Sequence, residues 1–141
     1  MEMNGTTVIG RPVETVFAYV IDVKNDVHWR NGVDGSGLRS GEPLGEGSVG
    51  YFRAGNQEIE WRVVSYVPYE SIDWELLGGP FVGTGGYRVK PVEGGTQFTL
   101  VSGVEPSGAY KLLGPLFAWM GRRRNQADVE KLRAILESTA E

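Results

Sequence analysis

The sequence predicts an α+β fold in which a curved antiparallel sheet holds one long C-terminal helix. Three observations support this class. A short helical segment follows a first strand, the middle of the chain is rich in strands and turns, and the last third returns to a helical pattern. Because strands joined by short turns pair with their neighbours, the middle region predicts an antiparallel meander.

The first strand is predicted over Thr6 to Gly10 and is followed by a helix. Pro12 suits the helix start, and Glu14 in the first turn complements the helix dipole. Apolar residues recur at i, i+3, i+4 and i+7 on one helix face, namely Val13, Val16, Phe17 and Val20. A second short helical piece is predicted through Val23 to Val27, just before Trp29.

The strand region runs from Val33 to about Glu105. The 21 glycines suit tight turns and bulges better than strand or helix interiors. Apolar and polar residues alternate in segments such as "SIDWELL" and "TQFTLVS", which is typical of half-buried strands. Turn formers separate five segments, "GSVGYFRAG", "QEIEWRVVSYVP", "ESIDWELLGG", "FVGTGGYRVKP" and "TQFTLVSGVE".

The C-terminal helix begins beyond a kink or restart that is predicted at Gly114-Pro115. Its apolar residues fall in two groups, because Leu132 and Leu136 lie well round the helix from the first group. A helix whose first half faces a cavity mouth would have this pattern, and so would a core helix bent at a glycine. The first group comprises Leu113, Leu116, Phe117, Met120 and Ala127.

The composition excludes several classes of function. With 141 residues, the chain is expected to form one domain over 1–141. It has no cysteine, which excludes disulfides, thiolate nucleophiles and cysteine zinc sites. A net charge of −4 argues against nucleic acid as a partner. Without a signal peptide or a membrane-spanning run, a cytoplasmic protein with no integral membrane association is expected, whereas the oligomeric state stays open.

Two conspicuous features of the sequence do not indicate a nucleotide-binding or catalytic site. Gly45 to Gly50 match G-x-G-x-x-G, but strand-like residues follow where a nucleotide site needs a helix. His28 is the only histidine, and its polar surroundings indicate a solvent-facing residue rather than a base. The adjacent Trp29 is expected to seal the end of the fold or to line a cavity. No ligand spacing indicates a metal site.

Four segments together resemble a known family. They are "VIGRPVETVFAYVIDVKNDVHW", "WRVVSYVPYESIDW", "VKPVEGGTQFTL" and "RRRNQADVEKLRAILE". The chain resembles the polyketide cyclase/dehydrase branch of the START-like (Bet v 1-like, SRPBCC) superfamily over nearly its full length. The resemblance implies a helix-grip fold, two short helices after the first strand, and a ligand cavity between the sheet and the C-terminal helix. It implies no cofactor.

Candidate polar anchors lie on one strand and on the long helix. The resemblance places Val64 and Tyr66 inward, and because alternate residues of a strand share a face, Glu60 and Arg62 would then point inward as well. If the other face of this strand points inward, Glu60 and Arg62 are partners on the surface. Arg124, or its neighbour Arg123, is either part of a solvated charge run or an anchor for a ligand oxygen. Other cavity candidates are Trp29, Tyr51, Trp74, Phe81, Tyr87, Phe98, Tyr110, Phe117 and Met120.

Three functions are compatible with these residues. The favoured one is binding of a small hydrophobic partner, such as a lipid, isoprenoid or polyketide-like molecule. The alternative is a polyketide cyclase or dehydratase, in which Glu60, Arg62 or Tyr87 assists enolisation, with Tyr51 as a further candidate. An interaction module of the co-chaperone type is the weakest. An inward acid-base pair would favour the enzyme, and a wholly apolar, dry cavity would favour the carrier. A closed cavity together with a large exposed apolar patch would favour the interaction module.

Overall fold

The computed structural model describes residues 3–78, 81–106 and 114–139. Three α-helices and seven strands make up the described chain, with a 3₁₀ helix at Val23–Asn25 between the first two helices. The helices are α1 (Val13–Ile21), α2 (Asp26–Trp29) and α3 (Gly114–Ser138). The strands are β1 (Gly5–Ile9), β2 (Val33–Leu38), β3 (Val49–Ala54), β4 (Gln57–Val67), β5 (Ser71–Leu77), β6 (Phe81–Val92) and β7 (Gly95–Pro106).

The seven strands form one antiparallel sheet in the order β1-β7-β6-β5-β4-β3-β2. Strands β2 to β7 follow one another as a meander, and β1 adds to β7, so the predicted fold class is confirmed. The segment Gly45 to Gly50 leads into β3 rather than into a helix, which removes the geometry of a nucleotide site. The described part of helix α3 runs from Gly114, with Pro115 as its second described residue, and whether a kink or restart occurs there falls partly outside the described residues.

The core lies between the inner face of the sheet, the first two helices and α3. On α1 the predicted face is buried through Val16, Phe17 and Val20. The Trp29 side chain is fully buried at the end of α2, with its ring centroid 5.7 Å from that of Tyr87 and 5.9 Å from that of Phe98. Trp29 therefore seals the end of the core, and His28 beside it is exposed on α2.

Helix α3 covers the open edge of β1. The Gln126 side chain accepts a hydrogen bond from the Thr6 amide at 3.0 Å and donates to the Thr6 carbonyl at 2.9 Å, as a neighbouring strand would. Further along, Gly10 donates its amide to the Glu137 carboxylate at 2.8 Å. An uncovered strand edge invites pairing with another chain, so these contacts protect the sheet.

The buried face of α3 differs from the predicted one. Leu116 and Met120 are more than half exposed, and Ala127 is exposed too. The face that packs on the domain is a single stripe that runs the length of the helix: Ala118, Asn125, Asp128, Val129, Leu132 and Leu136. The prediction of two packing faces was wrong because two polar residues, Asn125 and Asp128, belong to the buried stripe.

A β-bulge in β4 changes which side chains face inward. Val63 pairs with Trp74 of β5 and Ser65 pairs with Asp73, so Val64 has no partner of its own. Before the bulge, Trp61 and Val63 are buried; after it, the Tyr66 ring lies inward against Phe17, with 5.9 Å between centroids. One extra residue reverses the alternation along the strand.

Candidate functional site

A cavity of about 170 Å³ lies between the sheet and the segment that contains α1, the 3₁₀ helix and α2. Its walls are mostly apolar, with Val20 and Ile21 from α1 and Trp61, Ile72 and Trp74 from the sheet. Among the described residues of α3, none lines it. The described cavity is thus bounded by the sheet and the early helices, not by the sheet and the C-terminal helix as expected.

Helix α2 places two charged side chains in the cavity wall. Asp26 opens this helix and Arg30 follows its last residue, so the two lie one turn apart on the same side. Tyr87 of β6 also lines the cavity, and its ring packs edge-on against Trp74 with 4.8 Å between centroids. A carboxyl group, a guanidinium group and a phenol group therefore meet at an otherwise apolar wall.

Asp128 of α3 binds the Arg30 side chain and fixes its position. Its carboxylate accepts from Arg30 Nε at 3.1 Å and from the Asn31 backbone amide at 3.0 Å, and its side chain is only 1% exposed. The guanidinium also lies over the ring of Trp29, 5.3 Å from its centroid. These contacts fix the position of Arg30 at the cavity wall.

The surroundings keep Arg30 charged and Tyr87 neutral. Burial alone would lower the pKa of Arg30, but Tyr87, Asp128 and Asp26 outweigh it and raise that pKa. Burial raises the pKa of Tyr87 well above its usual range; Asp26 raises it further, and Arg30, through its charge and a hydrogen bond, only partly opposes this. Both side chains can therefore present N–H or O–H donors to a ligand.

The carboxyl group of Asp26 has a pKa close to neutral pH. Burial raises its pKa to about 7; the charge of Arg30 opposes this rise, and Asp22 adds to it. Its Oδ1 atom is buried and has no hydrogen-bond partner among the described residues. A buried polar atom without a partner is uncommon, and a carboxyl group with a pKa near 7 exchanges its proton readily at neutral pH.

Some of the predicted site residues do gather here. Trp74 and Tyr87 line the cavity, whereas Trp29 and Phe98 lie in the core next to Tyr87, outside the lining. Phe81, Tyr110 and Phe117 have side chains outside the described part of the chain.

The predicted polar anchors lie elsewhere. Glu60 and Arg62 are exposed on the outer face of the sheet, where Arg62 pairs with Glu75 of the neighbouring strand. Tyr51 is on the same outer face, beneath the guanidinium of Arg39 at 4.3 Å. The inward placement of Glu60 and Arg62 was wrong because it assumed unbroken alternation up to Tyr66, and the bulge at Val64 breaks it.

The helix candidates also face away from the cavity. Met120 is 57% exposed, and Arg124 is exposed and donates to the Asn31 carbonyl. Arg124 thus supports the turn that follows α2 instead of contacting a ligand. The prediction that Met120 and Arg124 line the cavity was wrong because the buried face of α3 lies on the opposite side from the one predicted.

The charged residues of the site, unlike Tyr87, were missed by the sequence reasoning. Asp26 and Arg30 flank the conspicuous pair His28-Trp29, and their i, i+4 spacing is the signal that was available. Asp128 had no such signal, since its partner lies 98 positions away in the chain.

The matched family model is described as "Polyketide cyclase / dehydrase and lipid transport" and covers residues 1–137. The chain belongs to this family. The resemblance to the polyketide cyclase branch that the sequence indicated is therefore confirmed. No curated protein matches the chain.

Solved structures share the helix-grip, Bet v 1-like fold of this family member. TTHA0849 from Thermus thermophilus has a TM-score of 0.81 at 16% identity, with 100% of each chain covered. BH1534 from Bacillus halodurans has a TM-score of 0.76 at 17% identity, with 97% of each chain covered. The di-domain ARO/CYC StfQ from the steffimycin biosynthetic pathway has a TM-score of 0.75 at 10% identity, with 97% of this chain and 50% of that one covered.

Membership of the family supports a hydrophobic-ligand or cyclase role in general terms. Within the described ranges, no helix has both the length and the apolar character to cross a membrane.

Replacing Asp128 tests how strongly the site depends on its buried ion pair. Asp128→Ala leaves Arg30 without its close partner, and we expect the free energy of unfolding to fall by about 3–5 kcal/mol. The exposed pair Arg62–Glu75 supplies the control, because Glu75→Ala should cost about 1 kcal/mol or less. Urea denaturation of both variants measures the difference; equal losses would contradict the assignment.

The raised pKa of Asp26 predicts a pH-dependent stability. The pKa of about 7 in the folded chain lies above the unfolded value of about 3.9. The neutral carboxyl therefore stabilises the fold fully below about pH 4, and this contribution is lost as the pH rises through about 7. Its slope approaches about 1.4 kcal/mol per pH unit within that window.

The measurement is urea denaturation across this pH range for the wild type and for Asp26→Asn, which mimics the neutral carboxyl. We expect the difference between the two proteins to grow in favour of the variant as the pH rises. Asp34→Asn serves as the control, because Asp34 is exposed and is not among the groups that shift the pKa of Asp26. A constant difference between wild type and Asp26→Asn would rule out the raised pKa.

Proposed function

We propose that the protein binds a small, mostly apolar molecule that carries one oxygen function, in the cavity beside α2. The observation that carries this proposal is the polar cluster of Asp26, Arg30 and Tyr87 in a mostly apolar wall. Such a cavity gains affinity from apolar burial and orientation from a few polar groups. The family description and the fold support the same class of ligand.

The volume limits the size of the ligand. A cavity of about 170 Å³ is close to the roughly 150 Å³ that accommodates one benzene ring in an engineered protein core. We therefore favour a compound of one ring with short substituents over a long-chain lipid. A longer molecule would extend past Ile21, Val23 and Leu44, which line both this cavity and an adjoining surface groove.

The charges favour a neutral oxygen over a carboxylate. Arg30 and Tyr87 supply donors, but the charge of Arg30 is already balanced by Asp128. Asp26 lies nearby and is negative for part of the time at neutral pH, so a ligand carboxylate would meet a like charge. A carbonyl or a hydroxyl oxygen meets donors without this repulsion.

Blocking the cavity tests the binding proposal. Leu76→Trp fills the cavity, and we expect it to weaken binding of ring compounds by at least about 10-fold, since an occupied cavity leaves no room for the ring. Leu77→Trp is the matched control, because Leu77 pairs with Glu60 on the outer face. Native mass spectrometry after purification and titration with a panel of ring ketones and phenols gives the readout. Equal binding by both variants would place the ligand elsewhere.

A cyclase or dehydratase activity is the second candidate, and Asp26 is the observation that favours it. Its carboxylate can take the proton from the carbon between two carbonyl groups of a 1,3-dicarbonyl compound. The C–H electron pair then forms the C=C bond, and the carbonyl π electrons move to the oxygen. Arg30 and Tyr87 are placed to hold that enolate oxygen.

Solvent exchange tests the proton transfer directly. With benzoylacetone in D₂O, we expect the wild type to accelerate deuterium exchange at the carbon between the two carbonyl groups. The acceleration by Asp26→Asn should be smaller by a factor of about 100 or more. Exposed Asp34→Asn again serves as the control. If Asp26→Asn binds benzoylacetone and exchanges it at the wild-type rate, the enzyme proposal fails and the binding proposal stands.

A further inference from the structure

The first half of α3 exposes three large apolar side chains on its outward face. Leu116 is 53% exposed, Trp119 is 49% exposed and Met120 is 57% exposed. At about 100° per residue these positions and Arg123 fall within one arc, opposite the buried stripe of Ala118, Asn125 and Val129. Leu116, Trp119, Met120 and Arg123 together form what we term the outward patch, and exposed Arg122 flanks it, about 100° round the helix from Arg123. Its apolar side chains do not contribute to the core.

The charge around these apolar side chains is entirely positive along the helix. Between Gly114 and Ala127 the sequence contains three consecutive arginines and no acidic residue, although the whole chain carries a net charge of −4. The Arg123 guanidinium lies 5.0 Å from the centroid of the Trp119 ring. Arg124 donates to the Asn31 carbonyl, so the positive charge here comes from Arg123 within the patch and from Arg122 at its flank.

We propose that the outward patch docks on an anionic lipid bilayer. A helix face with apolar residues and flanking arginines lies in the membrane interface, with its apolar side chains in the acyl boundary and its guanidinium groups at the phosphates. Tryptophan favours this interface, because its ring is apolar and its N–H is polar. Docking through the outward patch does not depend on what the cavity binds.

A second copy of the chain fits the outward patch poorly. A two-fold contact through it would press two positively charged faces together, and no acidic residue between Gly114 and Ala127 is available to pair with the arginines. An anionic bilayer supplies the opposite charge in excess and receives all three apolar side chains at once. The charge complementarity therefore selects the lipid surface.

Vesicle co-sedimentation tests the proposal with the intact protein. We expect binding to vesicles of phosphatidylcholine mixed with phosphatidylglycerol, weak binding to phosphatidylcholine alone, and loss of binding as salt is raised. Arg122→Glu/Arg123→Glu should lower the partition by at least about 10-fold, because each basic residue near the surface contributes about 1 kcal/mol. Lys24→Glu/Lys90→Glu, at two other exposed positions, changes the net charge equally and should keep most of the binding.

The apolar side chains need a separate comparison. Trp119→Ser/Met120→Ser should lower the partition by at least about 10-fold, whereas Val64→Ser/Val67→Ser, which removes exposed apolar groups from β4, should not. Retention of binding by Trp119→Ser/Met120→Ser or by the arginine variant would overturn the proposal. Equal binding to neutral and anionic vesicles would also overturn it. So would the finding that the protein is a dimer that these substitutions dissociate and that it does not bind to vesicles.

Discussion

The buried ion pair between Asp128 and Arg30 is the interaction on which the site depends. It joins the middle of α3 to the end of α2, and through the Asn31 amide it also fixes the first residue of the loop that follows. Taking two charges out of water is costly, and only good geometry with further hydrogen bonds repays that cost. The contacts of Asp128 with Nε and with a backbone amide, and the Trp29 ring beneath the guanidinium, supply that geometry.

Burial, rather than this pair, makes Asp26 differ from an ordinary carboxylate. Asp26 lies one turn before Arg30, whose positive charge opposes the rise of its pKa. Burial outweighs that charge and Asp22 adds to the rise, so the pKa of Asp26 stays near 7. Asp128 therefore fixes the orientation of the cation, whereas burial sets the protonation of the acid.

The sequence predicted the architecture better than the site. Periodicity and turn residues located α1, the meander and α3, because those signals are local. The faces of β4 and α3 were mispredicted for a different reason. A bulge at Val64 depends on how β4 pairs with β5, and the buried Asn125 and Asp128 depend on partners across the domain. Asp26 and Arg30 have a spacing that one helical turn explains, yet only the fold places them in a cavity wall.

The buried polar residues also account for the exposed apolar ones. Asn125 donates to the Met3 carbonyl, and Asp128 binds Arg30. The stripe of α3 that faces the domain therefore consists of these two hydrogen-bonded residues together with the buried side chains of Val129, Leu132 and Leu136. The side chains of Leu116, Trp119 and Met120 project on the other side, where the described part of the chain leaves about half of each exposed. Because these three residues lie outside the described core, their apolar character can serve a surface instead. The second half of α3 thus anchors the helix, and the first half presents a face that is independent of the cavity.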